Sequence, residues 1–483
     1  MAEPRSYLFP ALERRGVVAG LRTGQLLIVG VALLVGIVAV RVWPDAGGAA
    51  LAGVMTVGAS AVAFLPVRGQ SLEQWAPLAA RRAVRVTTRR HRVEPFGQRR
   101  FGPGDGLCTP DPLVPGLRFT SVARAGAPPV AVIHDRASGS ETAVLAVRGR
   151  SFALLDAADK DRRLGGWGNA LAALSREGGP VRRVQWLERT VPGDAEALTR
   201  HVANAARLPA RHPALASYLG LVAEAGPLGQ DHECFVALTV RAGRRDRATG
   251  VLLRELRLFE GQLRSAEIEV DHVLEPRELG AVIQTAIDPW SRVDLARQVG
   301  AHPDLPGPPP DRAWPATIEE SWASLRTDAT WHATFWIAEW PRTEVGADFL
   351  APMLLHQIAQ RSLSVVMAPL PPSAGAREAE AARTAQAADE QLRQRSGFLT
   401  TARRRREAEG VARRESELSD GHASYRFSGY VTVTAHDSEA LDEACGDMVQ
   451  AAHQCRVELR RLYGIQDRAF TWTLPFGRGL AGR

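Results

Sequence analysis

Two long uncharged stretches near the amino terminus stand out from the polar–apolar pattern of the chain. Thr23 to Val40 lies between Arg22 and Arg41, and Ala46 to Val67 lies between Asp45 and Arg68. About 20 apolar residues cross a bilayer as a helix, so each stretch qualifies as a transmembrane segment. The connector Arg41-Val-Trp-Pro-Asp45 allows only a tight turn, with Trp and Pro suited to an interface and a helix break. The pattern predicts a transmembrane hairpin over 23–67. No small-residue cleavage site follows the first stretch, and a second span comes at once, which argues against a cleaved signal peptide.

Beyond the hairpin the periodicity switches between alternation and helical spacing. Strands are expected at Pro129-Val-Ala-Val-Ile-His134, Ala143–Val147, Ser151–Leu155, Arg182–Glu188 and Cys234–Val240. Helices are expected at Trp167–Ser175, Leu252–Leu263 and Glu278–Ala286, the last stopped by Asp288-Pro289. The run Pro306-Gly-Pro-Pro-Pro-Asp311 reads as a linker between subdomains. After it come an aromatic strand, Trp331–Pro341, a helix over Gly346–Gln360 and a strand at Leu363–Pro369. Residues 375–418 read as two solvated helices hinged near Ser396-Gly397. A strand at Ser428–Ala435, a helix from Ser438 to Leu462 and a short Thr471–Pro475 segment close the chain. The fold class is α+β: segment 1–22, hairpin 23–67, juxtamembrane segment 68–105, and two mixed α/β subdomains, 106–305 and 306–483, the second with a helical arm over 375–418.

Charge then sets orientation. The formal net charge is +7, and residues 68–100 alone hold nine arginines against two glutamates, which is the same +7. Cationic flanks stay cytoplasmic, so both termini and everything after Val67 are expected on the cytoplasmic side of the inner membrane. The excess is one block placed next to the second span. Arg81, Arg82, Arg85, Arg89, Arg90 and Arg92 are its candidate contacts with anionic headgroups or, alternatively, with nucleic acid. The run 402–406, Ala-Arg-Arg-Arg-Arg, could add to a nucleic-acid surface.

Of the 60 basic residues, 59 are arginine and one is Lys160, which lies in a charged Asp-Lys-Asp-Arg-Arg run expected to be solvated. A P-loop ends in Gly-Lys-Ser/Thr and a Schiff-base enzyme needs a buried lysine, so neither fits. Cys108, Cys234, Cys445 and Cys455 form no metal spacing and read as buried thiols of a reducing compartment. No G-x-S-x-G, H-E-x-x-H or helix-opening G-x-G-x-x-G occurs. His422 lies in a turn, and Asp288, Asp328 and Asp467 sit where helix or strand ends need caps. The expectation is a non-enzymatic protein without cofactor or metal. Trp331, Phe335, Trp336, Trp340 and Arg342 form a candidate partner-contact surface, with ordinary strand packing as the other option.

Several motifs occur in a telling order: Ser6-Tyr-Leu-Phe-Pro10, Leu72-Glu-Gln-Trp75, Trp340-Pro-Arg-Thr-Glu-Val345, Glu415-x-Glu-Leu-x-x-Gly-His422 before Ser428-Gly-Tyr-Val-Thr-Val-Thr434, and Leu459-Arg-Arg-Leu-Tyr-Gly-Ile-Gln-Asp467 before Leu474-Pro-Phe-Gly-Arg-Gly-Leu480. Together they resemble an actinobacterial family of conjugation-associated membrane proteins, similar to a PrgI-like membrane hairpin fused to the amino-terminal, non-motor domain of the CagE/TrbE/TraC group of conjugative type IV secretion ATPases. In those ATPases a RecA-like motor follows, whereas this sequence stops at Arg483. The resemblance implies an inner-membrane scaffold that binds a separate secretion ATPase and copies of itself, a homo-oligomer, with no catalytic residue to carry over. Two alternatives stay open: a membrane-tethered nucleic-acid binder, and an accessory component of another actinobacterial secretion system.

Overall fold

The computed structural model describes residues 7, 9, 23–64, 66–67, 70–88, 92–93, 113–124, 126–149, 152–193, 212–225, 229–243, 245–302, 304–355, 360–396 and 421–480, with isolated positions at 202, 205, 209, 409–410, 412–413 and 416–418. The first two helices are α1 (Thr23–Val42) and α2 (Ala46–Phe64), both long and apolar enough to cross a membrane. Small residues let them approach closely. A Cβ at Gly36 would touch the Ala52 Cβ at 3.4 Å, and one at Gly48 would fall 2.0 Å from the Trp43 carbonyl oxygen. Their outer faces expose Ile37, Val54 and Val57 by two thirds or more, a surface suited to hydrocarbon.

A two-residue hairpin, β1 (Pro66–Val67) and β2 (Gln70–Ser71), leads into α3 (Leu72–Thr87), which is followed by the short β3 (Arg92–Val93). Then come β4 (Leu117–Arg124), β5 (Ala127–Asp135), β6 (Ser140–Arg148), α4 (Ala157–Leu174), β7 (Val181–Pro192), α5 (Pro213–Ala225), β8 (Gln230–Arg241), α6 (Arg245–Ser265), β9 (Glu269–Val273), α7 (Pro276–Ile287) and α8 (Ser291–Ala301). The remainder holds β10 (Ile318–Glu320), β11 (Leu325–Thr327), β12 (Thr330–Glu339), α9 (Ala351–Leu354), β13 (Gln360–Pro369), α10 (Pro372–Ser396), β14 (Tyr425–Ala435), α11 (Ser438–Gln454), β15 (Glu458–Arg461) and α12 (Gln466–Phe470).

Strands β3 to β15 form one 13-stranded sheet in the order β3-β10-β11-β12-β14-β13-β7-β8-β6-β5-β4, with β9 pairing on β6 and β15 on β12. Apart from β3, that order is a palindrome. Outward from the β7–β13 junction, one side runs β7, β8, β6, β5, β4 and the other runs β13, β14, β12, β11, β10. The junction is antiparallel, with Trp186 opposite Val365. The halves are therefore related by an approximate twofold axis perpendicular to the sheet. Each contains a strand–helix–strand unit, β8-α6-β9 in one and β14-α11-β15 in the other, and the two units end alike. Glu267 (φ 58°) follows α6 and Arg456 (φ 57°) follows α11, both left-handed. The next amides, Ile268 and Val457, donate back to Leu263 and Ala452, each five residues earlier. That is a Schellman stop built without glycine.

Helices α4 and α6 cover one face of the first half around Val236, Leu238, Leu252 and Phe259, and α11 covers the same face of the second half around Val431, Val433 and Met448. The opposite face is closed by α7, α12 and the carboxy-terminal tail, around Ile133, Phe235, Ile283, Phe470 and Phe476. The tail crosses the junction. Gln185 Nε2 donates to the carbonyls of Trp472 (3.2 Å) and Leu474 (2.8 Å), and its Oε1 accepts from the Gly477 amide at 2.7 Å. Gly477 has φ 64°, and a Cβ there would lie 2.2 Å from Thr239 Oγ1.

Several sequence expectations need correction. Ser151–Leu155 is not a strand: Phe152–Leu154 is a single 3-10 turn with Leu154 86% exposed, because the chain leaves the sheet at Arg148 to enter α4. Helix α4 begins ten residues before Trp167, at Ala157, where Asp156 caps it by accepting the Asp159 amide. Lys160 is accordingly not in a free solvated run; its Nζ sits 3.1 Å from Asp348 Oδ2. The helix expected over 346–360 reduces to Ala351–Leu354, with 356–359 outside the described residues and Gln360 already in β13. The helix expected to reach Leu462 stops at Gln454, because the left-handed Arg456 turns the chain back into β15. The Pro-rich run packs tightly on α7: Arg277 donates to the Gly307 carbonyl at 3.0 Å, and a Cβ at Gly280 would lie 1.9 Å from the Pro308 oxygen. Helix α10 forms the first limb of the expected arm; most of 397–420 lies outside the described residues.

Candidate functional site at the seam between hairpin and sheet

Helix α3 sits against the β10–β11 edge of the second half. Over Trp75 to Thr87 its inward side chains are Trp75, Leu78, Arg81, Arg82 and Arg85, at the three- and four-residue spacing of one helical face. Trp75 packs against Trp322 and Tyr463, with ring centroids 5.6 and 5.5 Å away. Gly464 makes room for this aromatic nest. It is left-handed (φ 71°), its amide donates to the Trp322 carbonyl at 2.8 Å, and a Cβ there would lie 2.7 Å from the Trp322 ring. Farther along the helix, β3 adds to the sheet edge, Val93 opposite Ile318 and Arg92 opposite Glu319.

Between these contacts lies an ionic cluster. Arg85 Nη1 is 2.7 Å from Glu320 Oε2 and also bonds Asp467. Arg82 Nη1 donates to the Glu320 carbonyl at 2.6 Å, and Arg81 Nη2 lies 3.6 Å from Asp467 Oδ1. Glu320 is 1% exposed. Burial pushes its carboxyl up to about 7, with the neighbouring Asp467 pushing the same way and Arg85 opposing. Burial likewise lowers the Arg81 guanidinium, and the Asp467 charge resists that. A buried carboxylate pair is costly unless cations face it, so α3 completes the fold of this edge as much as the edge holds α3.

A second contact comes from the other side of the hairpin. Tyr7 and Val345 exchange backbone hydrogen bonds of 3.0 and 3.1 Å, and the Tyr7 hydroxyl donates to Asp161 at 3.0 Å. Phe9 stacks on Trp340 at 5.2 Å and also meets Phe349 and Phe427. The segments before α1 and after α2 are thus both fastened to the same sheet domain.

The structure brings Arg81, Arg82 and Arg85 together, facing the protein's own carboxylates instead of an outer surface. Arg89 and Arg90 lie outside the described residues, and Arg92 contributes its backbone to β3. The aromatic set is dispersed, because β12 is an interior strand with both faces covered. Phe335 is buried under α11, Trp331 carries Arg326 over its ring at 5.5 Å, and Trp336 Nε1 donates to Ser428 Oγ at 3.1 Å. Trp340 is taken by Phe9, while Arg342 pairs with Glu339 at 2.6 Å. Sequence reasoning missed Glu320 and the strap role of Tyr7 and Phe9, and assigned Asp467 to capping. Tyr7, Phe9 and Asp467 lie within the motifs quoted above, whereas Glu320 carried no sequence signal.

The first half carries a cleft of about 700 Å³ between α7, α8 and the sheet. Arg189 lies inside it, donating to Glu233 Oε2 (2.9 and 2.6 Å), the Val282 carbonyl (2.7 Å) and Thr285 Oγ1 (2.8 Å). Burial would raise the Glu233 carboxyl, but Arg189 and Arg292 together hold it below the usual carboxylate range. Burial, aided by Glu188 and Glu233, pushes the Cys234 thiol up to about 12, which favours the protonated thiol at neutral pH. Among the described residues, no group of three or more His, Cys, Asp or Glu side chains could hold a metal. The cleft's charges are matched to one another: Arg189 and Arg292 to Glu233, Arg148 to Asp271, and His272 to Glu278. No family model matches the chain, and no curated protein matches it.

Proposed function

We propose that this chain is an inner-membrane scaffold of a conjugative type IV secretion machine, which holds a large α+β domain at the cytoplasmic face and there docks a separate motor ATPase. The observation that carries the reading is the double fastening of the hairpin. Tyr7 and Phe9 on one flank and α3 with β3 on the other meet one domain, which is how a hairpin with both ends on one side would be held. The arginine block next to α2 supports the cytoplasmic side. The secretion context rests on the motif order shared with the conjugation-associated family. Copies of the chain would assemble around the transfer channel, and the scaffold itself performs no chemistry.

The nucleic-acid alternative is weakened by one observation: three of the six candidate arginines are paired within the protein. The test is affinity purification of the full chain from its native membrane. Recovery of a motor ATPase encoded beside it supports docking, and recovery of none overturns it. In the same preparation, DNA affinity that falls steeply with salt would favour the alternative.

A further inference from the structure

Helix α3 has the reverse of the amphipathic pattern expected for an arginine-rich juxtamembrane helix. Over Trp75 to Thr87, at about 100° per residue, its inward side chains occupy an arc of about 120°. All three charged residues of that stretch, Arg81, Arg82 and Arg85, lie within the inward arc. The outward arc holds Ala76, Pro77, Ala79, Ala80, Ala83, Val84, Val86 and Thr87, and no charge. Val84 is 60% exposed and Val86 43%. This uncharged outward face runs over three turns, and among the described residues nothing covers it.

We propose that this outward face of α3 lies in the interfacial layer of the bilayer, so that lipid meets alanine and valine while the arginines anchor the helix to the protein beneath. Three observations select lipid over a protein partner. The first is continuity: α2 ends at Phe64, α3 begins at Leu72, and the two helices touch. The second is length. At about 1.5 Å per residue, a 19-residue α2 spans about the hydrocarbon thickness, which leaves its end, and hence the start of α3, at the headgroup boundary. The third is chemistry. The face is broad, smooth and made of small aliphatic side chains, which suits the fluid acyl boundary better than a pocketed protein partner. The helix becomes a plate between membrane and domain: apolar side to lipid, cationic side to Glu320 and Asp467.

The inference extends beyond the scaffold reading, and one experiment separates the two. The full chain, with its four cysteines replaced by serine, receives one cysteine at a time for an environment-sensitive fluorophore. Val84→Cys and Ala80→Cys probe the outward face, Ile37→Cys the hairpin, and Leu258→Cys the exposed side of α6. Each is reconstituted into phosphatidylcholine–phosphatidylglycerol vesicles with or without a spin label near the top of the acyl chain. The Val84 and Ala80 labels are expected to be quenched within about a factor of two of Ile37, and Leu258 left unquenched. Quenching at Ile37 but not at Val84 or Ala80 overturns this inference and leaves the membrane reading standing. A Val84 label that is shielded from water yet unquenched means protein cover, from a second copy or another partner, and overturns it too. An unquenched Ile37 label removes both readings. A photo-crosslinking residue at Val84 in the chain with its native cysteines gives an independent measurement: phospholipid adducts support the proposal, and protein adducts alone oppose it.

Discussion

The two halves of the sheet share one plan and diverge at their outer edges. In the first half that edge is built from β4 and β5, eight and nine residues long; in the second, β10 and β11 have three residues each. The short edge leaves Glu320, Trp322 and Asp467 open, and there α3, its arginines and β3 are received. The long edge leaves no such opening; its half instead keeps α7 and α8 over a charged cleft. The same scaffold thus does two jobs. The second half receives α3 and most of the strap, with Tyr7 also reaching Asp161 of the first half, and the first half closes on itself through the matched Arg189–Glu233–Arg292 network. The tail at 471–480 ties the halves together across the β7–β13 junction.

That comparison breaks most sharply at the tail. Gly477→Ala places a Cβ into Thr239 at a left-handed position, and should cost about 3 kcal/mol or more. If the halves are one cooperative unit, chemical denaturation of the variant will show a single transition at lower denaturant. Two separated transitions would mean that each half stands alone. Next in size, Arg85→Ala leaves Glu320 facing Asp467 without its closest cation. A loss of about 2 kcal/mol is expected, reduced from a fully buried pair because Arg85 is partly exposed. Hydrogen exchange should then quicken in α3 and β10 while β6–β8 keep their protection. Equal loosening of both halves would erase the proposed division of labour.

The same cluster predicts a pH dependence. The Glu320 carboxyl is raised from 4.5 to about 7, so between those values the folded chain binds a proton that the unfolded chain has released. Stability therefore falls as pH rises from about 4.5 to about 7, and levels off above. Glu320→Gln, which mimics the protonated side chain, should remove that slope; thermal melts of both proteins across the window decide the matter, and parallel curves would refute it. The smallest effect is expected at the strap. Phe9→Ala removes its aromatic contacts with Trp340, Phe349 and Phe427, for about 1 kcal/mol. Limited proteolysis should cleave sooner before α1, leaving the first half as resistant as before.

Much of the element pattern was legible along the chain, for reasons that differ by region. The hairpin announces itself through long uncharged runs of the kind a bilayer demands, and β8, β12, β13 and β14 do so because interior strands are apolar over several residues. The misses cluster where distant parts decide. Residues 438–462 read as one helix, since the stop at Arg456 uses no glycine. The 346–360 segment has helical composition, but among its described residues only Ala351–Leu354 is helix, and Val345 at its threshold pairs with Tyr7, more than 300 residues earlier. The aromatic run 331–340 was expected either to pack or to present a surface. Phe335 packs under α11, and Trp331 is half-buried with Arg326 over its ring.

By itself, the sequence determined that two apolar helices precede a mixed α and β region, that positive charge is concentrated just after them, and that no lysine-based phosphate loop is present. These are local properties: residue type, spacing and count within a short window carry them. Only the tertiary structure decided that the halves are related by an approximate twofold rotation at the β7–β13 junction, and that three of the arginines face inward to two buried carboxylates. Strand order and ion pairing join residues hundreds of positions apart. A charge along the chain has a sign and a place in the order, but its partner is chosen by the fold that brings Glu320 and Asp467 to Arg85.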